Sequence, residues 1–537
     1  MMSETYTHII VGAGSAGCIL ANRLSAEPKN SVLVIEAGEW DTGFWLKMPI
    51  GYFHSINNDT VSRHFATEPH EGSGGRAIDW PRGRVIGGSS SINGLNFIRG
   101  QHENFDEWEA QGATGWSFQD LLPYFRKLEK FDGPPSQLHG AHGALPVSAL
   151  RKKHPFCSAW VEAGKQFGLP PNDDFNGGTT YGVGEYHYTL GKRWRASSSR
   201  VFLHPILHRK NLNVITGALV EKVLIENKIA VGVRFRVKQE TLEAKATGEV
   251  ILSAGAIQSP QILQLSGIGP ASVLTALGIP VIIDREQVGG NLQDHYQMRT
   301  MMRMRDKISL NNDVRNPIKL LAMGLDWALR GRGDLTVGAG QVGGAARTVH
   351  APNAQPDIQF NVMPLSVDWP GRPLHKYSGF TAAVWQCHPE SRGRIDITST
   401  DPAADPRITP CYLSTELDRN TLVEGVKVLR EIYRMPAFAD LWTEEILPGP
   451  KVATDAEILE AARTLGGTVY HCVGTCRMGS DEEAVLTPDL KVRGVDHLRV
   501  VDASVMPTIT SANTNAPSLM IGERGADLIL QAEHSAF

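Results

Sequence analysis

The stretch THIIVGAGSAGCILANRLSAEPKNSVLVIEAGE, residues 7–39, reads as strand, glycine turn, helix and second strand. An apolar run at 9–11 gives way to glycines at 12, 14 and 17. Apolar positions then recur at helical spacing through Cys18, Leu20, Ala21 and Leu24, and VLVIE closes the unit. The glycines follow a G-x-G-x-x-G pattern directly after the strand. Gly12 permits the tight turn, Gly14 lets the backbone approach a pyrophosphate, and Gly17 allows close packing of the helix. That helix opens with Ser15 and Ala16 and points its unpaired N–H groups at the phosphates. Glu36, followed by Ala37, stands about twenty residues on, where a carboxylate accepts hydrogen bonds from a ribose diol. Strand, turn, helix and acid in register predict a dinucleotide site. The acid disfavours NADP, and the pattern leaves NAD and FAD open.

The chain around this unit has 537 residues, enough for two or three domains and a cleft between them. Its 53 basic and 57 acidic residues give a net charge of −4, so there is no basic field for a nucleic acid backbone. Six cysteines without a C-x-x-C pair make no disulfide framework and fit a reducing compartment. The start, MMSETYTH, has neither a basic nor an apolar leader region, and no apolar run reaches about eighteen residues. The expectation is a cytoplasmic protein without a transmembrane segment. From about 300 to 460 alternating segments such as PDIQFNVMP mix with proline-rich loops and the helix-like LDRNTLVEGVKVLREIY, which suggests a second domain.

A second glycine cluster, RGRVIGGSSSINGLNFIRG at 82–100, is followed by GAIQSPQILQLSGIG, GGNLQDH, HCVGTCRMG and VVDASVMPTITSANTNAPSLMIGERGADLI. In this order and spacing, from about residue 8 to 531, these motifs closely resemble the glucose–methanol–choline family of FAD-dependent oxidoreductases. The resemblance implies an α/β fold: a Rossmann-like FAD domain of discontinuous segments (1–155, 196–300 and 461–537) and a substrate domain (156–195 and 301–460) on a mainly antiparallel sheet. It implies adenine and ribose near Glu36 and Val220, and the isoalloxazine beside Arg84, Gly87, Gly88, Ser89, Asn93 and Gly94. Asp502 and Ala503 would contact the flavin side chain. Some members carry in this loop a histidine bonded to the flavin; here Ile92 stands at the matching position, so non-covalent FAD is expected. Asn515, Ala516 and Pro517 look like the start of a helix whose positive end would face the ring.

HCVGTC, 471–476, invites a metal reading, but no second cluster of ligands follows it. A reactive thiolate needs a basic neighbourhood, and Cys472 and Cys476 sit among small apolar residues, so both are expected to be packed. His471 falls where the family keeps its active-site histidine, and Asn515 is assigned to the second position of that pair. A neutral imidazole suits removal of a hydroxyl proton while hydride leaves the α-carbon for flavin N5. The expected function is oxidation of a small primary alcohol to its aldehyde, with dioxygen or another acceptor taking the electrons. The alternative is non-redox lyase chemistry on the same scaffold. Phe97, Val469 and Tyr470 are expected to line the substrate side.

Overall fold

The computed structural model describes residues 4–338 and 340–535, the last by its backbone only. The first three residues of the acidic N-terminal stretch therefore lie outside the described residues. Strand β1 (Thr5–Val11), helix α1 (Ser15–Leu24) and strand β2 (Val32–Ile35) form the expected βαβ unit, with β1 and β2 parallel. Residues 9–11 and all of β2 are buried, as an unbroken run of Ile, Val and Leu requires when helices cover both faces of a parallel sheet.

The sheet continues on both sides of this pair from segments far away in sequence. Leu212–Ile215 joins the outer edge of β2 and Glu240–Leu252 joins β1, both parallel, and Leu498–Val500 pairs in parallel beyond that. An antiparallel meander, Ala218–Glu226 and Ile229–Val237, extends the other half of Glu240–Leu252. The nucleotide-binding layer is thus assembled from discontinuous stretches. Helix Asn515–Ser535 packs across α1, where Gly522 approaches Ala16 so closely that an added Cβ would lie 2.8 Å from its Cα.

A second sheet is antiparallel throughout, in the order Val342–Ala346, Ile358–Met363, Gly379–Gln386, Tyr296–Met304 and Trp442–Leu447, with the short Gly467–Thr468 also on Tyr296–Met304. Helices Glu416–Arg434 and Pro155–Phe167 supply Leu422, Val426, Leu429 and Trp160 to the core beneath it. Tyr296–Met304 runs across the boundary expected at 300. Phe65 and Trp80, from the segment assigned to the first domain, pack in this second core.

Candidate active site

A cleft runs from the β1–α1 turn to the inner face of the second sheet. At its nucleotide end Gly12, with φ of 101°, makes the turn, and a Cβ there would strike Ser253 O at 2.4 Å. A Cβ on Gly17 would meet Gly12 O at 2.0 Å, so this glycine serves the packing of α1 and does not itself line the cleft. Gly14 differs: an added Cβ would come no nearer than 3.9 Å to any protein atom, leaving its open side free for a ligand backbone. No side chain caps α1, so its first N–H groups face the cleft. Burial pushes the Glu36 carboxyl up, while Ala13 N–H and Gly38 N–H each donate to one of its oxygens at 2.8 Å. Each oxygen keeps a lone pair for a ribose hydroxyl.

Ser15, Ala16, Ala37, Arg84, Gly88, Ser89, Asn93, Gly94, Val220, Asp502, Ala503 and Asn515 all line the same cleft. Gly87 and Pro517 stand behind it. Gly87, with φ of 90°, makes the turn into Gly88–Ser91, and Pro517 is buried in the first turn of the last helix. Asp502 accepts from Ser259 Oγ at 2.5 Å and from Gly255 N–H at 2.9 Å, which ties the last strand end to helix Gly255–Leu265. Ile92 is buried against Leu46 and Val85 and offers no nucleophile. An open phosphate turn, a ribose-facing carboxylate, an uncapped helix start and a small-residue loop suit the nucleotide, pyrophosphate and ring of FAD.

At the other end His471 lies at the close of a strained turn. Tyr470 before it has φ of 68°, unusual for a bulky residue, and the turn is held from three sides. Asp294 accepts from His471 N–H at 2.8 Å and from Thr468 Oγ1 at 2.6 Å, and Arg82 donates to Tyr470 O at 2.7 Å. The second terminal nitrogen of Arg82, Nη2, donates to Cys472 Sγ. Burial pushes the Cys472 thiol up to about 12 and the Cys476 thiol up as well, so neither is a thiolate at neutral pH.

The ring of His471 is held at both nitrogens, and the chain of bonds fixes its proton. His295 Nε2 lies 3.0 Å from Cys387 O, which can only accept, so Nε2 carries the hydrogen. Burial pushes the pKa of His295 down to about 3; the ring is neutral, and its Nδ1 is an acceptor. His471 Nδ1, 2.9 Å away, must therefore donate to it. Burial, then the neighbouring His295 and Arg82, hold the His471 pKa well below the usual value, so this ring is neutral too. Its Nε2 is left with a lone pair, 3.0 Å from Asn513 Nδ2.

This corrects the pairing expected from sequence: the amide facing His471 belongs to Asn513, two residues before Asn515. Asn515 begins the last helix and accepts instead from Ser15 Oγ at 2.8 Å, joining the two helix starts around the nucleotide end. Two asparagines in SANTNAP offered both registers, and what separates them is a contact far away in sequence: Ser15, at the start of α1, takes up Asn515 Oδ1, and Asn513 is left to face His471. A second correction concerns Phe97. It is buried in the first core, with its N–H on His187 O at 2.8 Å, and does not line the cleft. Val469 and Tyr470 do line it, together with Tyr52, Phe53, Ile56, Trp385 and Arg299, which sequence reasoning missed. These come from strands and a short helix whose inward faces show only once the second sheet is assembled. Among the described residues, six buried polar atoms on the cleft residues lack a protein partner: Arg82 Nε, Asn96 Oδ1, Arg299 Nη2, Asn361 Oδ1, Trp385 Nε1 and Asn513 Oδ1.

A Rossmann-type sheet whose phosphate turn opens into a cleft ending at a neutral, oriented histidine defines a dinucleotide-dependent oxidoreductase. Comparison with known proteins narrows the class. The family model for GMC oxidoreductase matches residues 6–297 and 389–522. The chain is 40% identical to "Alcohol dehydrogenase [acceptor]" of Pseudomonas putida, covering 98% of this chain and 96% of that one. It is 41% identical to an "Oxygen-dependent choline dehydrogenase" of Photobacterium profundum, covering 98% and 94%. Among solved structures, an FAD-dependent oxidoreductase from Chaetomium thermophilum superposes with a TM-score of 0.88 at 27% identity, covering 99% of this chain and 100% of that one. The chain belongs to the GMC oxidoreductase family, and it is an FAD-dependent alcohol oxidoreductase.

Proposed function

We propose that the chain oxidises primary alcohols to aldehydes with His471 Nε2 as the base, and that it selects neutral, largely apolar alcohols over choline-like cations. The observation that carries the reading is the relay from Cys387 O through His295 to His471, which leaves an unprotonated nitrogen beside an amide donor on the cleft wall. The alcohol hydroxyl gives its proton to His471 Nε2, and Asn513 Nδ2 donates to the oxygen left behind. FAD, when bound, supplies the acceptor for the hydride of the α-carbon. Buried Trp385 and half-buried Tyr470 on the cleft wall keep water from this proton transfer. With Ile92 in place of a nucleophile, the cleft residues would hold FAD by hydrogen bonds and packing alone, with dioxygen or another compound as the final electron acceptor.

Discrimination against cations rests on charge. Among the described residues the only carboxylates on the cleft wall are Glu36, at the nucleotide end, and Asp502, hydrogen-bonded to the helix behind it, whereas Arg82 and Arg299 stand on the substrate side. Burial pushes the Arg299 guanidinium down to about 10, which still leaves it charged at neutral pH, with no carboxylate for a quaternary ammonium to meet.

The test is anaerobic bleaching of the flavin by stopped flow, with aliphatic and aryl alcohols and with choline. The parent should bleach with the neutral alcohols and not with choline. His471→Ala, still loaded with FAD, should slow bleaching by about 10²–10⁴-fold. Parental speed in that variant, or no bleaching with any alcohol in the parent, would overturn the reading; the second result would turn attention to non-redox chemistry.

A further inference from the structure

Helix Pro317–Arg330 is attached to the protein by very little. Met323 alone is buried along it, and Trp327 anchors it by donating from Nε1 to Arg193 O at 3.1 Å. At 100° per residue, Ile318, Leu321, Leu325 and Leu329 fall within an arc of about 80°, on the side opposite Trp327. They are 78%, 64%, 50% and 76% exposed. The helix thus carries an aliphatic stripe at regular helical spacing that points away from the fold, a pattern that costs free energy in water.

Exposed aromatic side chains flank the helix on its other side, the one that carries Trp327. Phe44 and Trp45, 50% and 44% exposed, open the short helix Phe44–Lys47. The Phe44 ring packs edge-on against Trp327 at 6.0 Å and Trp194 at 6.3 Å, and Trp45 stacks on His54 at 3.9 Å. His54 belongs to the next helix, Tyr52–Ser55, whose Tyr52 and Phe53 line the active-site cleft. The exposed apolar surface therefore adjoins the wall of the cleft.

Its rim is cationic, in a chain of net charge −4. The acids near the helix, Asp313, Asp326 and Asp334, are each already paired, with Lys319, with Arg330 and Arg332, and with Lys152. Arg151, Arg193 and Arg315 donate to carbonyl oxygens at the helix end and its flanks, so their charge is uncompensated, and Lys192 beside them is exposed. A second copy of the chain docked on this face would set one cationic rim against another. An anionic lipid surface meets both features: headgroups pair with the rim, and the stripe enters the acyl boundary.

We propose that the aliphatic stripe of helix Pro317–Arg330 is a docking surface for anionic membranes, lying flat in the interface. Among the described residues no helix is long and apolar enough to cross a membrane. The inference is independent of which alcohol is oxidised.

The test is co-sedimentation of the FAD-loaded chain with vesicles of phosphatidylcholine alone and of equal parts phosphatidylcholine and phosphatidylglycerol. The parent should pellet with the anionic vesicles, more weakly with the neutral ones, and less as salt is raised. Leu321→Glu/Leu325→Glu should lower partitioning by on the order of a hundredfold, with flavin content and turnover on a soluble dye acceptor unchanged. Ile318→Ser/Leu329→Ser, a milder change on the same stripe, should lower it in the same direction. The proposal is overturned if the parent binds neither vesicle, if both variants bind as the parent does, or if the parent is a solution dimer that the variants split.

Discussion

Replacing His295 with leucine tests the relay without touching the base itself. In the parent, His471 Nδ1–H donates to His295 Nδ1 at 2.9 Å, and this bond keeps the lone pair on Nε2. Leucine offers no acceptor. The productive tautomer of His471 would then hold a buried, unpaired N–H, which costs about 1–3 kcal/mol, while the other tautomer places its hydrogen on Nε2, where the alcohol must deliver its proton. A bias of that size lowers the competent fraction roughly 5- to 150-fold, so bleaching of FAD-loaded His295→Leu should slow by about one to two orders of magnitude. His295→Gln, whose amide can donate to Cys387 O and accept from His471, should recover part of the loss. The pH profile separates this role from simple loss of stability. Because the His471 pKa is lowered in the folded protein, the base is active above that value, and rate is lost as pH falls through it, on the acid side of the usual histidine value. Leucine removes no charge, because His295 is neutral, and burial stays the first cause of the lowering, so the acid limb should remain below the ordinary value while the plateau rate above it falls. Bleaching on that plateau within twofold of the parent would refute the relay.

The two asparagines should separate cleanly. Asn513→Ala should slow bleaching about ten- to a hundredfold while FAD stays bound, because it removes the amide facing His471 Nε2. Asn515→Ala should instead loosen FAD, read as flavin lost on gel filtration, with near-parental bleaching in the fraction that remains loaded. The reverse pattern would restore the register expected from sequence. Acid precipitation should leave a colourless pellet and a yellow supernatant; colour kept in the pellet would show a covalent bond that the burial of Ile92 at this position does not provide for. Glu36→Ala should weaken FAD binding tens-fold or more, since charge-assisted bonds to the ribose contribute about 1.5–3 kcal/mol each; unchanged retention on dilution would remove the ribose contact.

The nucleotide end was legible because its chemistry is local. The turn at Gly12, the open side of Gly14 and the carboxylate of Glu36 all lie within one βαβ unit, where spacing alone decides which atoms meet. His471 was legible from motif context, but what makes it a base was not. Its tautomer depends on His295, 176 residues earlier, and through it on a carbonyl at Cys387 in another strand region, contacts that arise only when the second sheet closes. The same dependence explains both corrections. Which asparagine in SANTNAP faces His471 turns on where the last helix begins, and that start is tied to Ser15 across 500 residues of sequence. Phe97 follows a loop that lines the flavin side, yet its N–H pairs with His187 O, and its ring turns into the first core. Local spacing can assign a residue to a segment. Which way the side chain points at a site between two domains is decided by partners that the segment does not contain. For this chain those partners meet at one place, where Asp294 and Arg82 hold a left-handed Tyr470 so that the next residue, His471, presents its ring between His295 and Asn513.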